Sequence, residues 1–244
     1  MTVLIHLLTR STGAPAAAFR QAWREMQGPL LMRLPGLRAY VQNHVVDRAR
    51  MPLPDGADAA FGVDGIGQAW FDDDASLAVA LASPEYRAAC TLLPGFTRRG
   101  IAMVATRNCT LPFPGQEPGT DLPPFVRLAP PALKRMTLLG RDRTLERDAF
   151  HAWWRDQHVP VVFERQRAEL RGYCQNYVHR GWAEHSGPGD AAAVICDGVT
   201  ELILDDHAAM ERLFPPTRVN GVTSHAAARI ATMTSCLVEA DRLA

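Results

Sequence analysis

The strongest constraint on how this chain folds is that it repeats itself. Phe19-x-x-x-Trp23-Arg24-x-x-Gln27-x-Pro29 is answered by Phe150-x-x-x-Trp154-Arg155-x-x-His158-x-Pro160, and Tyr40-Val41-Gln42-Asn43 by Tyr173-Cys174-Gln175-Asn176. Asp64-Gly65-Ile66-Gly67-Gln68 with Asp72-Asp73 returns as Asp197-Gly198-Val199-Thr200-Glu201 with Asp205-Asp206. The offset is 131 residues, becoming 133 after a small insertion. So many matches in one order mark a tandem duplication, which has to be recognised before a fold is assigned. Between the copies, residues 112–131 hold seven of the 18 prolines and show no helical or strand period. That stretch reads as an extended, semi-rigid linker between halves 1–111 and 132–244.

Each half reads as strand, helix, strand, strand, helix, strand, the ferredoxin-like pattern. In the first half the strands are expected at 3–9, 37–46, 64–71 and 101–111, with helices over 15–27 and from Asp72 or Asp73 to 82. Pro29 removes an N–H and must kink the first helix or start a new turn. The second half repeats the order, with strands near 133–140, 170–179, 196–204 and 229–238 and helices near 145–158 and 206–214. One such half has helices on a single face of its sheet and leaves the other face to be covered. The two sheets are therefore expected to pack face to face, an α+β barrel completed inside one polypeptide. The outer helices are the surface left for a homodimer.

Composition narrows the partners. With 26 basic residues against 26 acidic, the chain has no cationic excess to follow a phosphate backbone or an anionic membrane, so nucleic acid is not expected. No stretch approaches the roughly 20 apolar residues of a membrane span. Five widely spaced cysteines without a C-x-x-C pair argue against a disulfide frame or a thiolate zinc site, and a cytoplasmic setting fits.

The repeated blocks resemble the EthD family of dimeric α+β barrel proteins. The likeness is carried by Trp154-Arg155-Asp156-Gln157-His158-Val159-Pro160, by Leu34 to His44 and by Asp197 to Glu201. It covers most of both halves outside the linker and the loops at about 48–62 and 180–193. The resemblance implies the barrel fold and a substrate pocket between sheet and helices. It also implies activity in the breakdown of ethers and related compounds, or in dehydration or decarboxylation of aromatic polyketides, generally without a cofactor.

The copies differ where chemistry is concerned. The second half has His158 and Glu201; the first has Gln27 and Gln68 at the same places. Imidazole titrates near neutral pH and a neighbouring carboxylate can fix its tautomer, whereas glutamine hydrogen-bonds without exchanging a proton. The pair is thus the expected catalytic site, with the first half an inactive partner that shows both changes to be sterically tolerable. The plainer alternatives are a histidine satisfying backbone at the Pro160 kink and a solvated strand glutamate. Tyr173, Gln175 and Tyr177 share a strand face and, with Trp154 and with Asn176 on the opposite face, are the substrate-binding candidates. No metal is expected, because His151 and His158 lack further ligands in pattern. Related barrels include haem proteins, so His158, His179 or His225 could in principle ligate iron, but haem is not expected either. The function read from the sequence is a cofactor-independent acid/base enzyme acting on a small, largely apolar oxygenated or aromatic molecule. Lyase or isomerase steps lead, and cofactorless oxygenation is a further option. The rival is a non-catalytic protein that holds a catabolic intermediate.

Overall fold

The computed structural model describes residues 1–47, 62–117, 119–124, 128–184, 196–215, 225–226 and 229–244. Its strands are β1 (Thr2–Arg10), β2 (Ala39–Asp47), β3 (Gly65–Phe71), β4 (Thr97–Leu111), β5 (Leu133–Arg141), β6 (Leu170–Ala183), β7 (Gly198–Leu204) and β8 (Ile230–Arg242). The helices are α1 (Ala16–Ala22), α2 (Gly28–Leu31), α3 (Asp74–Ala82), α4 (Pro84–Leu92), α5 (Arg147–Trp153), α6 (Val159–Gln166) and α7 (His207–Leu213).

The strands close into one barrel in the order β1-β3-β2-β8-β5-β7-β6-β4, every neighbouring pair antiparallel. This corrects the expected face-to-face packing of two sheets. The edge strands β2 and β4 of the first half hydrogen-bond to β8 and β6 of the second, and closure leaves no strand edge unpaired. Within each half the registers coincide. Ile5 stands between Gln68 and Met103, and Met136 stands between Glu201 and Cys236.

Alternation along the strands divides inside from outside. Val3, Ile5, Ile66, Trp70, Met136, Val178, Val199 and Val238 fill the barrel. Their neighbours face the helices, as Leu4, Tyr40 and Ala69 do in the first half and Tyr173, Leu202 and Leu204 in the second.

At both prolines the helix widens into a π-helical turn, Trp23–Gln27 before Pro29 and Trp154–His158 before Pro160. The N–H of Gly28 reaches back to the Trp23 carbonyl, and that of Val159 to Trp154. Proline cannot donate, so an extra residue is accommodated where the ladder is already broken. The carbonyl so exposed is used twice over: Gln42 Nε2 donates to Trp23 O at 3.1 Å and Gln175 Nε2 to Trp154 O at 3.3 Å. Each tryptophan lies on a glycine of the next strand. A Cβ on Gly65 would stand 2.4 Å from the Trp23 ring, and one on Gly198 2.3 Å from Trp154.

Four local expectations need correction. Helix α4 was not anticipated, although Ser83 caps it through Tyr86 N at 3.1 Å and Pro84 opens it. The loop expected from residue 180 begins later, since β6 runs to Ala183; residues 185–193, like 48–61, lie outside the described residues. The linker is no free spacer, because Phe113 and Pro123 are buried, Phe113 and Leu128 packing with Cys174 and Ile203 at one end of the barrel. Finally, Cys109 and Cys174 are register partners across the β4–β6 seam and form a disulfide. Strand pairing, not sequence spacing, brings them together. No helix among the described residues is long and apolar enough to cross a membrane.

Candidate active site

The π-helical turn sets the direction of His158. It projects from the helix layer onto the outer face of the second half's sheet, where it lines a cavity of about 70 Å³ with Trp154, Tyr173, Arg135, Thr200 and Phe214 among its walls. His158 is 8% exposed. Its Nδ1 lies 3.3 Å from His225 Nδ1, and its ring clusters with those of His225 and Trp153 at centroid distances of 5.5 and 5.3 Å, the latter two stacking on each other at 5.6 Å. Burial, with the second imidazole as a further cause, lowers its pKa to about 4, so His158 is neutral across the physiological range.

Opposite it stands a residue that the sequence reading missed. Arg135 is buried, its guanidinium 4.0 Å above the Phe214 ring and its Nη2 donating to Ser235 Oγ at 2.5 Å. Burial brings its pKa down to about 9, still cationic at neutral pH. Thr137 and Ser235 hydroxyls, 3.0 Å apart, continue the polar floor. The signal for Arg135 was available: the repeat places Leu4 at the same position, a charge gained on the face that the helices cover.

Glu201 is elsewhere. Thr200 and Leu202 face the cavity, so Glu201 between them points into the barrel. There it is fully buried and ion-paired with Arg107 and, at 2.7 Å, with Lys134 Nζ. Gln68 Nε2 and Asn176 Nδ2 both donate to its Oε1 at 2.9 Å. Burial alone would raise its pKa; Arg107 and Lys134 outweigh that and hold the carboxyl well below the usual carboxylate range. The expected His158/Glu201 dyad is therefore not formed, because one strand residue's difference in parity separates the two sides of a sheet. Asn176 goes with Glu201 to the interior. Gln175 is spent on the Trp154 carbonyl and accepts from Tyr177 Oη at 2.7 Å, while Tyr177 packs edge-on against Trp154. Of the substrate-binding candidates, Trp154 and Tyr173 wall the cavity.

Among the described residues, the matching place of the first half is filled by other side chains. Gln27 is fully buried and its Nε2 donates to Ala89 O of α4 at 3.4 Å. His6 stands where Thr137 does and meets Glu184 at 2.6 Å, both buried. Glu184 follows the end of β6 and crosses over Gly100, the counterpart of Met233 in the cavity wall.

The profile of the EthD domain matches residues 11–93 and 142–220, well over half of the chain. This chain belongs to the EthD family. The two matched segments fall one in each half and include both π-helical turns and both prolines. No curated protein sequence matches the chain. Among solved structures, it is similar over 99% of its length to 92% of an anthrone oxidase-like protein, at TM-score 0.61 and 12% identity. A putative monooxygenase from Fusobacterium nucleatum aligns over 98% of this chain and 91% of its own at TM-score 0.53 and 6% identity. A dye-decolorizing peroxidase from Bacteroides thetaiotaomicron aligns over 97% and 92% at TM-score 0.51 and 9% identity. At such identities these likenesses speak for the α+β barrel fold shared with this EthD chain. A haem does not fit the cavity beside His158, whose volume is several-fold below that of ordinary cofactor sites. Among the described residues, no three His, Cys, Asp or Glu side chains gather as metal ligands.

Proposed function

We propose that the cavity of the second half is the active site of a cofactor-independent enzyme that removes a proton from the carbon next to the carbonyl of a small, largely apolar molecule. The observation that carries this reading is the pairing of a neutral, buried imidazole with a buried guanidinium across one cavity, which the first half lacks. In the productive tautomer His158 donates Nδ1–H to His225, leaving Nε2 as the base. The substrate C–H proton goes to Nε2, and the electron pair moves onto the oxygen held by Arg135. A base whose conjugate acid lies near 4 needs that stabilisation, so the substrate must form a delocalised anion. The cavity of about 70 Å³ receives the reacting group of the substrate.

The resulting carbanion can be reprotonated elsewhere, expel a leaving group or pass an electron to dioxygen. The anthrone oxidase-like and monooxygenase neighbours favour the last of these over a lyase. Two ferredoxin-like repeats then divide the work: residues 1–111 act as scaffold, residues 132–244 carry the site, and residues 112–131 join them. The substrate is a small molecule met in solution, in keeping with a chain whose described helices do not span a membrane.

Incubating the protein with enolisable aryl ketones in deuterated buffer without oxygen should give exchange of the acidic C–H, read by NMR. His158→Gln should slow it by roughly 10²–10⁴-fold. Exchange at the parent rate in His158→Gln would remove the base from this site. The low basicity of His158 favours one rival, a binding protein in which the imidazole only hydrogen-bonds its ligand; saturable binding with no exchange would select that reading.

A further inference from the structure

Lys134 is the single lysine of the chain, set against 25 arginines, and it is buried in the barrel interior at 6% exposure. An ammonium has three N–H donors. Two are accounted for, by Glu201 Oε2 at 2.7 Å and Asn43 Oδ1 at 2.8 Å; on its remaining side, among the described residues, the ammonium meets only the face of the Phe113 ring, 5.6 Å away. The charges do not balance either: Arg107 and Lys134 face one carboxylate, Glu201, which leaves an excess positive charge where water is scarce. Beside Lys134 lies a cavity of about 40 Å³ whose other charged wall is Arg242. Arg242 is fixed by Pro123 O and by Ala244 O at 2.8 Å and also feels Glu117. The remaining lining is apolar, with Val41, Phe113, Leu128 and Ile203 prominent. Lys134, Leu128 and Ala240 also line a larger groove of about 980 Å³ with further apolar walls at Leu133 and Val238.

We propose that this cavity, at the end of the barrel under the linker, binds the carboxylate of a small organic acid, with its apolar body lying along Phe113 and Leu128 toward the groove. The cavity has room for a small polar group, an ammonium N–H to meet it, and a net charge that a carboxylate would neutralise. It is on the opposite side of the sheet from His158, so the proposal stands or falls independently of the enzymatic reading.

The test is titration calorimetry at neutral pH with benzoate and hexanoate as probes, beside benzamide, chloride and phosphate. The parent should bind both carboxylates with one-to-one stoichiometry and bind benzamide at least about tenfold more weakly, as the loss of a charge-assisted hydrogen bond implies. Arg242→Gln, which leaves the Arg107–Glu201–Lys134 cluster in place, should weaken benzoate by a similar factor. Lys134→Met should abolish binding, and Arg242→Gln decides the matter if Lys134→Met fails to fold. Equal binding of benzoate and benzamide, chloride or phosphate binding as tightly as benzoate, unchanged affinity in Arg242→Gln, or no carboxylate binding at millimolar concentration would each overturn the proposal.

Discussion

His158 and Glu201 were chosen together from the sequence because both become glutamine in the other half, and the structure gives each a separate reason. For Glu201 the reason is charge. Replacing it by Gln restores the residue found at position 68 but strands Arg107 and Lys134 in the interior, and breaking a buried pair in this way costs about 3–5 kcal/mol. Urea unfolding of Glu201→Gln should show that loss, against the sequence-based expectation that the change is tolerated. A midpoint within error of the parent would mean that the barrel interior is wetter than its burial indicates. For His158 the reason is desolvation. In the unfolded chain it takes up a proton near pH 6.5, and in the folded one only near 4, so between those values the unfolded state binds more protons. Its contribution is intact above pH 6.5 and declines as pH falls, by about 3 kcal/mol at pH 4. The melting temperature of His158→Gln should accordingly fall less between pH 7 and 4 than that of the parent; parallel curves would contradict a buried neutral imidazole.

At the level of the elements, much was legible. Apolar and alternating runs located the strands in both copies, and Pro29 and Pro160 announced a break in the helix. What they could not announce was its form, since a π-helical turn depends on a glutamine from the next strand reaching the freed carbonyl. Parity in β7 was equally hidden: Val199 and Ile203 share a face with Glu201 and argue for its burial, but a strand in a barrel with helices outside has two buried faces, and the sequence pattern does not say which one holds the cavity. Arg135 was overlooked for the same reason. The glycine under each tryptophan permits a test of this layer. Gly198→Ala and Gly65→Ala should each destabilise by about 1–3 kcal/mol through overpacking. Only Gly198→Ala, by displacing Trp154 from the cavity wall, should also change ligand binding or turnover. Equal functional effects from both would argue that the two halves share the work.

For the whole molecule, the two seams decide cohesion. β4–β6 and β2–β8 are antiparallel ladders broken by register shifts, one in β2–β8 and two in β4–β6, and the linker adds apolar cover at one barrel end. A protease site introduced at 115–120 and cut under native, non-reducing conditions should leave the halves co-eluting at the size of the intact chain, with the Cys109–Cys174 bond as a covalent tie across one seam. Under reducing conditions they should still co-elute; separation would show that the ladders alone do not hold them. The duplication itself was plain in the sequence, whereas closure was not, because which strands become edges is a property of the folded sheet order.

The hydrogen bond from Gln68 Nε2 to Glu201 Oε1 joins equivalent positions of the two copies. In a barrel assembled from two identical chains that contact would have to be made by a residue with its own likeness. Two carboxylates there would repel, and two amides would leave Arg107 and Lys134 without a counter-ion. Fusion into one polypeptide lifts this requirement: each copy can drift alone, one toward donor and the other toward acceptor. The same freedom allows an opening to be kept beside one tryptophan and plugged beside the other.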